Sequence, residues 1–200
     1  MAVKAGQKLI CGVGINDGTY IQVKGSDVEH SYSLWRKMLY RCYNKDGKSY
    51  AAYHDCSVSE EFKSFTTFHE WAVKQFGFRV RDYHMDKDIL IKGNKIYHPD
   101  CCVFIPRELN CFLTTRKNHR GSSLLIGVSY HSRDLVYQAR VSDGDGKRIH
   151  LGNFEDELSA FYAYKKGKES IAKKLAKRYE GLVDQRVITS LLNYEVDISD

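Results

Sequence analysis

Residues 83–110, YHMDKDILIKGNKIYHPDCCVFIPRELN, constrain the fold more than any other stretch. Alternation over Tyr83–Ile89 predicts a strand, and its period of two sets His84, Asp86 and Asp88 on one face. Met85, Ile89 and the stem of Lys87 take the other face. Gly93, Asn94 and Pro99 make Leu90–Asp100 a loop. Cys101–Ile105 is a short, apolar, β-prone run, and Pro106 sits where a helix can start without losing an N–H. Leu109, Phe112 and Leu113 then recur at helical spacing. The expected order is strand, loop, strand, short helix, with acids on the first strand and the amide of Asn110 on the helix. Clustered oxygen ligands of this kind suit a hard divalent cation.

The pattern DKDIL-x-KGNKIY-x-P-x-C-x-VFIP-x-x-LN resembles the HNH-type endonuclease segment of phage-borne homing endonucleases. Trp35–Leu39 (WRKML) and Arg41–Tyr43 (RCY) lie at the expected distance upstream, so the resemblance covers roughly residues 31–112. It implies a two-strand-plus-helix finger holding Mg²⁺ or another divalent metal. The first strand of such a finger gives a general-base His and a metal ligand, and the helix gives another ligand. On that pattern Asp88 falls where the usual His stands, Cys101 or Cys102 near the central Asn, and Asn110 on the last position. His84, Asp88 and Asn110 are therefore the catalytic candidates, with Asp86, Asp88 and Asn110 as metal ligands. His84 is the preferred base because it shares a face with the acids, and His98 is second. The replaced His and Asn keep a second reading open, a catalytically degenerate HNH-fold DNA-binding or regulatory protein. A third is a protein-binding module of phage origin.

Charge bears on the partner. The chain carries +6 overall at pI about 8.9, unevenly spread. Residues 181–200 hold Arg186 against Asp184, Glu195, Asp197 and Asp200, a net −3, which leaves +9 on the preceding 180. That body suits a polyanion, here double-stranded DNA. No run of about eighteen apolar residues occurs, so no membrane partner is expected. The N-terminus lacks the pattern of a secretory signal, so the chain is expected in the cytoplasm, that of the host if phage-encoded. Six cysteines, at 11, 42, 56, 101, 102 and 111, form no CxxC pair with a matching second pair. Buried free thiols are the expectation, and structural zinc on Cys42, Cys56 and one of Cys101 and Cys102 is the lesser alternative.

At 200 residues the chain has room for one domain or two small ones, and three segments are expected. The first, 1–115, is the nuclease-like module. Lys8–Ile15 and Thr19–Val23 read as a hairpin around Asn16–Gly18. Ser33–Tyr43 is a helix with Leu34, Trp35, Met38, Leu39 and Cys42 on its apolar stripe. Ser59 caps a helix running to about Phe76, whose aromatics back the 83–110 finger. Arg79 and Arg81 lead into the acidic strand, well placed for phosphates. Thr114–Ser123 is a basic linker, with Arg116 and Lys117 as DNA contacts.

The second segment, 122–180, has strands at Leu125–Tyr130, Val136–Ser142 and Lys147–Leu151, then a helix to about Tyr179. Gly127–Val128, YxARV and LGxF make Leu125–Ala176 resemble the plant APETALA-type (ethylene-response-factor) DNA-binding domain. The resemblance implies three antiparallel strands laid in the major groove with the helix packed behind. The expected fold class is α+β, an HNH-like finger module followed by a three-stranded antiparallel sheet on one helix. Alternation turns Val128, Tyr137, Ala139, Val141, Ile149 and Leu151 inward. It turns Ser129, His131, Gln138, Arg140, Ser142, Arg148 and His150 outward, and these with Arg133 are the DNA candidates. Lys165, Lys166, Lys168, Lys173, Lys174 and Lys177 make the helix's far side basic. In the tail, 181–200, the run Val187–Leu192 fits helix or strand. A homodimer and any protein partner stay open.

Overall fold

Helix α1 (Asp27–Tyr43) begins at Ser26, whose hydroxyl accepts from Glu29 N at 3.2 Å, so it starts before the expected Ser33. Asp27 and Glu29 in its first turn suit the positive end of the helix. Trp35, Met38, Leu39 and Cys42 are buried, as the stripe predicts, and Trp35 Nε1 donates to Phe62 O at 2.7 Å. The computed structural model describes residues 9–18, 23–44, 53, 55–113 and 124–200. Two units share them, Met1–Ile105 and Pro106–Asp200.

In the first unit the expected 59–76 helix is two helices, α2 (Glu60–Lys63) and α3 (Phe65–Ala72). Ser64 breaks it, extended at ψ 124°, and its hydroxyl both accepts from Thr67 N and donates to Asp17 Oδ2 at 2.6 Å. Asp17 Oδ1 accepts from Thr66 N at 3.0 Å, so a residue from the expected hairpin turn caps this break. Burial alone would raise the Asp17 carboxyl, but the bonds from Ser64 and Thr66 hold it below the usual carboxylate range. Phe76 lies beyond α3 and is exposed, not on the apolar face. The expected 8–15 strand is also corrected. Ile10 bridges Gly14 across a turn in which Cys11 is left-handed (φ 51°), and Ile15 pairs with Ser64. Its proposed partner falls largely on residues 19–22, outside the described ones.

Strand β1 (Ser57–Val58) pairs in parallel with β3 (Ile96–Tyr97), a strand inside the expected 90–100 loop. Strand β2 (Tyr83–Asp86) pairs with β4 (Val103–Pro106). Pro106 therefore ends a strand, and helix α4 (Arg107–Leu113) starts one residue later. Trp35, Phe62, Phe65, Phe68, Tyr97 and Phe104 form the aromatic core behind β2 and β4.

The second unit is built on the antiparallel sheet β5 (Val128–His131), β6 (Val136–Ser142) and β7 (Arg148–Phe154), in that order. Helix α5 (Glu157–Arg178) lies across it, capped by Asp156, which accepts from Ser159 N at 2.8 Å. Two glycines make the fit possible. A Cβ on Gly127 (φ +77°) would stand 2.1 Å from the Tyr164 ring. Gly152 (φ +142°) sits at a bulge where Ala139 pairs with Gly152 but Arg140 pairs with His150. Leu151 is the extra residue, and its Cδ1 would lie 2.8 Å from a Cβ on Gly167 of α5. The GV and LGxF motifs are thus packing devices. Residues 187–192, open between helix and strand, belong to helix α6 (Gln185–Leu192), which packs on α5 with Val187, Ile188 and Leu191 buried.

Lys168 corrects the basic far side of α5. It is 4% exposed, its ammonium donates to Phe112 O, and it lies 3.7 Å from the Phe112 ring centre. Burial without a carboxylate pulls its pKa down to about 8 from 10.5. Below about pH 8 the folded state holds a costly buried charge. That cost fades as pH rises toward 10.5, where the unfolded chain also loses the proton. The shift corresponds to about 3 kcal/mol. Wild type should therefore gain stability relative to Lys168→Met by a large part of that figure between pH 7 and 10, read by urea unfolding. A difference constant with pH would refute the assignment. No helix among the described residues is long and apolar enough to cross a membrane.

Candidate functional site

On β2 and just beyond it, burial alternates as the sequence pattern requires. Met85, Lys87 and Ile89 are buried, His84 and Asp88 are exposed, and Asp86 is half-buried between them. The regular strand ends at Asp86 because its Oδ1 accepts from the backbone N–H of both Asp88 (2.9 Å) and Ile89 (2.8 Å). This Asx turn fixes the acids' spacing. Burial, and then the neighbouring Asp88 charge, raise the Asp86 carboxyl above its ordinary value.

Lys87 is the side chain beside these acids whose partners strand reasoning missed. Its stem is buried with the residue only 5% exposed, yet its ammonium reaches back to Asp88 Oδ1 and to Asn94 O at 2.8 Å. Burial pulls its pKa down, but the bond and charge of Asp88 outweigh that and leave it raised. Asn94 closes the arrangement by donating to Lys87 O (2.7 Å) and Ile96 O (2.8 Å). The Gly93–Asn94 pair was the available signal, since Asn after Gly favours a turn bonded by its own amide. Among the described residues, the Oδ2 atoms of Asp86 and Asp88 carry no hydrogen bond. No group of three or more His, Cys, Asp or Glu residues able to hold a metal occurs among them.

His98 Nδ1 accepts from Asp100 N at 3.1 Å, which leaves Nε2, 3.9 Å from Glu61 Oε1, to carry the ring proton. Asn110 is half-buried on α4, in the second unit. Arg79 pairs with Asp27 at 2.8 Å, whereas Arg81 is 96% exposed beside Asp82. Arg116 and Lys117 fall outside the described residues.

The outward face of the β5–β7 sheet follows from its register. Ser129 pairs with Gln138 and Gln138 with Asn153, while Arg140 pairs with His150 and Ser142 with Arg148. Ser129, Arg133, Arg140, Arg148 and His150 are exposed, and His131, Gln138 and Ser142 are half-buried. Arg140 Nη2 donates to Gln138 Oε1 at 2.9 Å, so one guanidinium and one amide are already held side by side. His131 Nδ1 lies 3.1 Å from Asp134 Oδ2 but out of line for a hydrogen bond. Asn153 adds an exposed amide that alternation did not identify, because the bulge at Leu151 shifts the phase of β7. On the inner face Val128, Ala139 and Val141 are buried, but Ile149 is 38% exposed, at the sheet's far edge.

Two further constellations have structural explanations. Ser31 Oγ lies 2.8 Å from His69 Nδ1 in the core and donates to Val28 O, so the imidazole N–H donates to the serine. A serine oriented this way is not activated as a nucleophile. Burial pushes the Cys42 thiol up to about 12, with the neighbouring Cys56 adding to it, and burial also raises Cys56 and Cys102. No family model, curated protein or solved structure matches the chain.

Proposed function

We propose that this chain binds duplex DNA through the outer face of β5–β7 and is a metal-dependent endonuclease of the HNH kind. The observation that carries the reading is the sorting of that sheet: an apolar face on α5, and an outer face of paired Ser, Gln, Asn, Arg and His. Those side chains present the donors and acceptors that phosphates and base edges require. On this reading β2 and β4 of the first unit stand for the finger's strands, and α4, next in sequence, for its helix. The carboxylates of Asp86 and Asp88 would hold the ion. Mg²⁺ commonly takes one or two carboxylates and keeps several waters, so this sparse set fits it. When bound, the ion supplies charge neutralisation at the phosphate and leaving oxygen. His84, exposed on the same side, takes the proton of the attacking water.

The other reading, a catalytically silent DNA-binding scaffold, is favoured by Lys87. Its ammonium already neutralises Asp88, the position a metal would need. Incubation with supercoiled plasmid and Mg²⁺ or Mn²⁺ decides between them. Nicking that chelation removes and Asp88→Ala abolishes supports the nuclease, and binding without nicking supports the scaffold.

Binding itself should fall steeply with salt, because each neutralised phosphate releases counterions. Arg140→Ala should cost roughly 1–3 kcal/mol on a preferred sequence, the range of a bidentate contact to guanine. An equal loss on every sequence tested would reassign Arg140 to phosphate. Affinity indifferent to salt would sink the DNA reading altogether.

A further inference from the structure

The outer strip of α5 points to a second polyanion surface. At 100° per residue, the sheet takes the side of α5 marked by Ala160, Tyr164 and Gly167, and α6 with the following chain takes the side marked by Lys165 and Glu169. The remaining third of the helix carries Tyr162, Lys166, Ser170, Lys173, Lys174 and Lys177, and the four lysines are exposed. Lys166, Lys173 and Lys177 fall within about 40° of one another and span about 16 Å along the axis. Among the described residues none of the four lysines has an ion pair. Glu169, four residues before Lys173, is engaged by Lys165 Nζ at 2.8 Å and Val196 N at 3.1 Å, although Lys173 helps to hold its carboxyl down.

An uncompensated row of this kind is unusual on a helix that elsewhere pairs its charges. Lys165 with Glu169, and Arg178 with Glu108 and Asp145, are paired on its other sides. Three ammonium groups over about 16 Å match a phosphate strand whose charges recur at a few ångströms along the duplex axis. The strip faces away from the sheet, so a single straight duplex lying on β5–β7 does not reach it.

We propose that this strip binds the phosphate backbone of a second duplex DNA segment, so that the unit bridges two segments. The inference rests on the sheet binding the first one. Lysine ammonium groups act here as point charges, so the second contact is sequence-independent and salt-sensitive.

The test uses the full chain. Protein is loaded on bead-bound duplex, washed, and offered a second, fluorescent duplex; single-duplex affinity is measured separately in solution. Wild type should capture the second duplex. Lys166→Gln/Lys173→Gln/Lys177→Gln should capture about tenfold less, with single-duplex affinity kept within about twofold. Exposed lysine-to-glutamine changes spare the core, and an unchanged melting curve verifies that. A wild type that binds one duplex but captures no second overturns this inference and leaves the sheet reading intact, whereas no binding to any duplex overturns both. Capture unaffected by the triple substitution assigns bridging to self-association and overturns the strip's role. A triple variant that loses single-duplex affinity as badly as Arg140→Ala places both surfaces on one duplex, which also refutes bridging. A fourth arm offers phosphatidylserine vesicles; binding that depends on the three lysines while DNA capture does not would make the strip a membrane contact instead.

Discussion

Replacing His84 with alanine should lower metal-dependent nicking by roughly 10²–10⁴-fold, the range for loss of a general base. The expectation follows from its exposure on β2, on the same side as Asp88. DNA affinity and melting should both stay put, because the side chain is exposed. Asp88→Ala should be more severe and abolish nicking outright. It also strips Lys87 of its carboxylate, so Asp88→Asn, which keeps an acceptor for the ammonium, separates lost chemistry from lost folding. A His84→Ala protein that nicks at the wild-type rate would remove the histidine from the mechanism. Full nicking by both Asp88 variants would remove the site.

Gly127→Ala should be the most damaging small change in the second unit. The residue holds φ +77°, where an L side chain costs about 1–2 kcal/mol. The added methyl would also stand 2.1 Å from the Tyr164 ring, which is pinned between sheet and helix. Displacing that ring adds roughly 1–3 kcal/mol of overpacking. The combined loss, about 2–5 kcal/mol, should appear in urea unfolding, with DNA binding falling in parallel. Stability within about 0.5 kcal/mol of wild type would show that the β5–α5 contact is not what holds the unit together. Combined with Tyr164→Ala, the loss should be less than the sum of the two single losses, since the obstacle the added methyl meets is gone.

Local pattern was enough to define several elements. The stripe Trp35–Met38–Leu39–Cys42, the alternation around Met85–Ile89, the strand Val136–Ser142 and the long helix after Phe154 are all visible in the chain. Each rests on a period of two or 3.6 that a neighbouring surface merely completes. The outward set on β5 and β6 was legible for the same reason. Other features depended on contacts distant in sequence. Asp17 splits the 59–76 helix by capping Thr66 from 49 residues away, an exchange of hydrogen bonds that propensity does not register. Strand β3 exists only because β1 lies beside it. Lys168 reads as one more lysine on a basic face, yet the packing of α4 on α5 buries it, where a carbonyl and an aromatic ring replace water. Asn153 joins the outer face because a bulge at Leu151 changes the phase of β7. The ammonium of Lys87 on Asp88 needed the loop to fold back and bring Asn94 O within reach. The sequence by itself determined which side chains alternate and where helices recur, because those depend on near neighbours along the chain. Only the tertiary structure decided which charges are buried, paired or left free, because solvation depends on what other segments cover.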